Sequence, residues 1–82
     1  MGRMVMPNIL GMLSDADLAV LDFEATAPRS LGAKEEAIRH ELGMTPVRYY
    51  QRLNVLLDSG EALAARPQLV RRLQRVREAR SL

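Results

Sequence analysis

Apolar residues recur every three or four positions between residues 13 and 76, the spacing that one face of an α-helix produces and a strand does not. Ser14 followed by Asp17 is a capping-box pattern, so a first helix begins at Asp15, and Pro28 stops it near Thr26. On a helical wheel its apolar residues fall into two stripes. Leu18, Leu21 and Ala25 make one, and Ala16, Val20, Phe23 and Ala27 make the other, with Asp17, Asp22 and Glu24 between them. A helix apolar on two sides is either central to a bundle or shared with a partner.

A second helix is predicted over residues 32–42, with Leu31, Ile38 and Leu42 on its buried side and Glu35–Arg39 as a supporting i,i+4 pair. Gly43 stands where a left-handed residue closes a helix, and Thr45-Pro46 supplies an N-cap and a first-turn proline for the next one. That third helix covers residues 46–57. Tyr49, Tyr50, Leu53, Leu56 and Leu57 lie within an arc of roughly 120°, and Val47, Arg48, Gln51, Arg52 and Val55 lie opposite. Asp58-Ser59-Gly60 ends it, and residues 61–65 allow a short helical turn. Pro67 opens a last helix to about Arg80, with Leu69, Val70, Leu73 and Val76 inward and Arg71, Arg72 and Arg75 outward.

The fold class is therefore all-α, a small bundle of four to five helices. Residues 1–13 read as an N-terminal arm, flexible or docked, and residues 14–82 as a single domain, since 82 residues support one core. The apolar stretch near the start is broken by Pro7, Asn8 and Gly11, too short for a membrane span and without a signal-peptide pattern. There is no cysteine, which suits a reducing cytoplasm and removes disulfides and thiolate metal sites.

Charge changes the picture, although the net value is only +2. Residues 1–46 carry four Lys/Arg and seven Asp/Glu, or −3, whereas residues 47–82 carry eight Arg and three acids, or +5. A basic half attracts polyanions. Eleven of the twelve cations are arginine, whose planar fork matches phosphate and guanine edges.

That half contains the outer face of the third helix, and the preceding step fits a helix-turn-helix. The pattern asks for apolar residues one and five positions before the turn glycine, here Leu42 and Ile38, and for apolar residues after it, here Met44 and Tyr49. Locking two helices in this way lets the second project its outer face into the major groove. The predicted DNA-binding residues are Thr45, Val47, Arg48, Gln51 and Arg52, with Arg71, Arg72 and Arg75 on flanking phosphates. Arg39 departs from the pattern, which wants a small residue there, so the helices either cross more widely or have the arginine stem lying between them.

Candidate catalysis is thin. No glycine-rich phosphate cradle or cysteine nucleophile is present, and His40 reads as a solvated histidine on the polar side of the second helix. Asp15, Asp17 and Asp22 read as helix-start and surface residues. Tyr49 and Tyr50 read as core rings with solvated hydroxyls. No enzyme activity, cofactor, metal or small-molecule substrate is expected. The expected partners are double-stranded DNA and a second copy of the chain, paired through the second stripe of the first helix and the arm. The alternative is a helical module that docks on transcription or replication proteins.

Over residues 13–73 the chain resembles a family of short actinobacterial helical proteins with a domain of unknown function. The residues that carry the match are Leu13-Ser14-Asp15, Leu21-Asp22-Phe23-Glu24, Gly32-Ala33-Lys34-Glu35, Ala37-Ile38-Arg39, Arg48-Tyr49-Tyr50-Gln51, Leu53-Asn54 and Pro67-Gln68-Leu69-Val70. The family includes a nucleoid-associated DNA binder, so the resemblance implies DNA binding at the nucleoid. The chain departs from it twice. Thr26-Ala27-Pro28 stands where a tryptophan is usual, implying altered packing after the first helix. Arg66 stands where an aspartate is usual before the proline, implying a lost N-cap worth about 1 kcal/mol.

Overall fold

The computed structural model describes residues 13–81, and the expected arm, apart from Leu13, lies outside them. Five α-helices are present among the described residues, which form an all-α domain. Helix α1 (Asp15–Ala25) starts where Ser14 Oγ accepts from the Asp17 N–H at 3.0 Å and ends at Thr26. Helix α2 (Leu31–Ala37) is capped by Ser30, whose Oγ accepts from the Ala33 N–H, and runs on as a π-helical turn over Ile38–Leu42. Gly43 closes it at φ +64°, a left-handed conformation that a Cβ would strain. Helix α3 (Pro46–Leu57) comes next, then α4 (Gly60–Ala65), capped by Ser59, and α5 (Pro67–Ser81). A single residue, Arg66, joins the last two: its N–H donates to the Ala62 carbonyl while its own carbonyl accepts from Val70.

The core gathers around α3. Tyr49, Leu53, Leu56 and Leu57 meet Val20, Leu21 and Phe23 of α1, Ile38 of the π turn, Ala62 of α4 and Val70 of α5. Leu13, Leu42, Met44 and Leu73 pack around this centre. From α5, Gln74 Nε2 donates to the Leu57 carbonyl at 2.7 Å, and so satisfies a carbonyl that the end of α3 leaves open. Arg77 adds bonds to Asn54 and Asp58, fastening the same end of α3 to α5.

Four expectations are corrected. The second stripe of α1 is not free for a partner, because Val20 and Phe23 are core. The buried face of α1 is instead centred where the acids were placed. Asp17, Val20, Leu21 and Glu24 form one i, i+3, i+4, i+7 stripe, with Asp17 only 7% exposed. Leu31, expected inside, is 62% exposed. It lies two turns, about 10 Å, before Ile38, beyond what the core reaches. Val76 is likewise 44% exposed on the far part of α5. Finally, Arg39 and His40 both turn to Glu36, at 3.8 and 3.1 Å, so the Glu35–Arg39 pair is replaced.

The π turn also accounts for Arg39 at the position where a small residue was wanted. An extra residue in a turn rotates the next side chains relative to their places on an α-helix. Ile38 takes the buried position and half-buried Ala37 packs beside it, while Arg39 faces solvent.

Candidate nucleic-acid interface

The outer face of α3 can be built from its first turn. Thr45 Oγ1 accepts from the Arg48 N–H at 3.2 Å, and Pro46 occupies the first turn, where no N–H is needed. Thr45, offered as a phosphate contact, is therefore first of all the cap that starts this helix. Behind the face, Tyr49 is fully buried. Its ring meets Phe23 edge-on at 5.6 Å and Tyr50 at 5.2 Å.

The Tyr49 hydroxyl, expected to be solvated, instead donates to Glu24 Oε1. Glu24 also holds the Lys34 ammonium, at 2.9 Å from Oε1 and 3.1 Å from Oε2. That ammonium lies 5.8 Å from the Tyr49 ring centre and 5.3 Å from that of Tyr50. Burial and the adjacent Glu24 carboxylate push the Tyr49 hydroxyl well above the usual tyrosine range, so it stays a donor. Helices α1, α2 and α3 are thus tied at one point by a satisfied polar network.

Val47, Arg48, Gln51 and Val55 are exposed on the opposite side of α3, as the periodicity predicts. Arg52 is different. Its Nε donates to Asp17 Oδ1 at 2.7 Å, and the Asp17 side chain is 10% exposed. Arg52, predicted to contact DNA, holds α3 to α1 in the domain itself, and Asp17, predicted to be a surface residue, is its buried partner. A carboxylate on the core face of α1 needs a cation, and Arg52 is positioned to supply one. Removing it by Arg52→Ala should lower stability by about 1–2 kcal/mol, because Asp17 loses its partner while half of the arginine already sits in solvent. Thermal melting tests this.

The remaining arginines divide into two groups. Arg66 grips Asp22 with two bonds, Nε–Oδ1 at 2.7 Å and Nη2–Oδ2 at 3.1 Å, so the residue that costs α5 a side-chain cap ties α5 to α1 instead. Arg77 binds Asp58 at 2.7 Å. By contrast, Arg29, Arg48, Arg71, Arg72, Arg75 and Arg80 have no carboxylate partner among the described residues. Arg71, Arg72 and Arg75 line one groove of about 530 Å³ with Gln68, Leu69 and Ala25. Arg48 and Gln51 line another of about 400 Å³ against Ala16 and Val20. Helix α1 borders both, and three of its four acids are neutralised by Arg52, Arg66 and Lys34.

The exposed pairs set an acid limit. Hydrogen bonding to Arg66 holds the Asp22 carboxyl below its ordinary 3.8, and hydrogen bonding to Arg77 does the same for Asp58. A depressed folded-state pKa contributes stability that is present above the unfolded value and is lost as pH falls through the folded one. The melting temperature should therefore decline as pH falls below the ordinary carboxylate range, and less steeply in Asp22→Asn. An Asp22→Asn acid limb as steep as that of the unaltered chain would contradict the assignment.

A family model matches residues 12–82. The chain belongs to that family, described as "Protein of unknown function (DUF3263)". No curated protein and no solved structure matches it. The matched segment takes in every helix among the described residues, including the far end of α5, which lies beyond the resemblance read from residues 13–73. Among the described residues no helix is long and apolar enough to cross a membrane, and no group of three or more His, Asp or Glu is placed to hold a metal ion.

Proposed function

We propose that the chain binds double-stranded DNA, as a nucleoid-associated or small regulatory protein, with the outer face of α3 toward the major groove and the α5 arginines on flanking phosphates. The observation that carries this reading is the division of the arginines. Arg52, Arg66 and Arg77 are engaged within the domain, whereas Arg48, Arg71, Arg72 and Arg75 are exposed without partners among the described residues. Arg71 and Arg75 are an i,i+4 pair of like charges, mildly unfavourable alone and favourable once a phosphate lies between them.

The helix-turn-helix reading draws support from the left-handed Gly43, the Thr45 cap and the buried Ile38 and Tyr49 on either side of the turn. With Arg52 engaged by Asp17, base reading is left to Arg48, Gln51 and Val47, whose exposed methyls suit a thymine methyl. So small a set gives low specificity, and unrelated duplexes should compete within a few tens-fold. The test is a mobility-shift titration at two salt concentrations with Arg48→Glu, which leaves the core untouched. Affinity should fall roughly tenfold or more with melting unchanged. Normal shifting by that variant, or no shift by the unaltered chain at low salt, would overturn the reading.

A further inference from the structure

Helices α3 and α5 form a trough of about 850 Å³, which Glu24, Pro28 and Leu31 also line. Its two walls have the same register. From α3 come Tyr50, Leu53, Asn54 and Leu57, and from α5 come Leu73, Val76, Arg77 and Arg80. Both sets are i, i+3, i+4, i+7 stripes, so each wall is one straight helix face about 10 Å long. The floor is apolar, and the large exposed side chains Leu31 and Val76 stand at its edge.

Four cations, Arg29, Lys34, Arg77 and Arg80, line the trough; Lys34 is engaged by Glu24, and Arg77 by Asp58 and Asn54. Arg29 and Arg80 have no carboxylate partner among the described residues. An apolar floor between two helix faces accepts the apolar stripe of a third helix, and the arginines at its rim, Arg29 and Arg80, select acidic flanks on it. Duplex DNA would leave that floor uncovered. We propose that this trough is a docking site for an acidic amphipathic helix of a partner protein, separate from the arginines assigned to DNA.

The probes are two synthetic helical peptides with leucine at i, i+3, i+4 and i+7, one with glutamate and the other with lysine at the remaining positions. They are titrated into the full isotope-labelled chain. The glutamate peptide should shift amides along the Tyr50–Leu57 and Leu73–Arg80 stripes and bind roughly tenfold more tightly than the lysine peptide. Leu31→Glu with Val76→Glu should reduce its affinity by roughly tenfold or more while circular dichroism stays unchanged, since both side chains are already exposed. Arg29→Glu with Arg80→Glu should do the same.

Equal binding of the two peptides, shifts confined to other surfaces, or affinity retained in both double variants would overturn the proposal. So would a dimer of the unaltered chain that Leu31→Glu with Val76→Glu converts to monomer, which would make a second copy the occupant. Displacement of the peptide from these stripes by duplex DNA would return the trough to the nucleic-acid surface.

Discussion

Tyr49→Ala should leave most of the chain unfolded at room temperature. Tyr49 is completely buried at the centre of a ten-residue core, between Phe23 and Tyr50, and its hydroxyl is a donor to Glu24. Truncating a buried aromatic costs about 3–5 kcal/mol, and here it also takes a hydrogen bond from a carboxylate. Domains of this size have only about 5 kcal/mol of stability or somewhat more, so the loss is comparable to the whole. Tyr49→Phe separates the two contributions. It keeps the ring contacts and leaves Glu24 to Lys34, so it should cost about 1–2 kcal/mol. Urea unfolding monitored by circular dichroism measures both. A Tyr49→Ala variant that melts cooperatively within a few degrees of the unaltered chain would mean that α3 is not the centre of the fold.

Charge reversal of Arg71, Arg72 and Arg75 should have the largest effect on binding. These three arginines are exposed, line one groove and lack carboxylate partners among the described residues. Each phosphate contact contributes about 0.9 to the slope of log affinity against log salt, so three contacts amount to a few hundredfold at about 0.1 M salt. Replacement by glutamine should weaken binding to every sequence alike and reduce that slope by about 2.7, and replacement by glutamate should abolish the shift. Stability should hold or rise slightly, because the substitutions relieve repulsion along α5. An unchanged salt slope in the glutamine triple variant would remove α5 from the DNA surface. Retained affinity in both Arg48→Glu and the α5 variants would leave the trough proposal standing while the DNA reading fell.

Much of the fold was legible along the chain because local rules decide it. Ser14 and Thr45 cap helices through their own hydroxyls, Gly43 supplies the left-handed stop, and Pro46 and Pro67 open α3 and α5. Each of these depends on residues at most a few positions apart. The two faces of α3 were equally readable, since a 12-residue helix has room for a clear 3.6-residue period. The cationic second half was visible as a count.

What only the tertiary structure decided is which charges are engaged. Asp17 and Arg52 are 35 residues apart, Asp22 and Arg66 44, and Glu24 and Tyr49 25, so no local pattern joins them. One signal was present. On α1 the stripe Asp17, Val20, Leu21 and Glu24 placed two acids among the residues that pack inward, and buried carboxylates require donors. Their identities depended on how α2 and α3 cross α1, which no spacing within a single helix specifies. The sequence alone therefore determined the helices, their caps and the sign of the charge, because those depend on near neighbours. Which arginines remain exposed, and that Leu31 and Val76 border an open trough, was decided only by packing, because exposure belongs to the assembled surface.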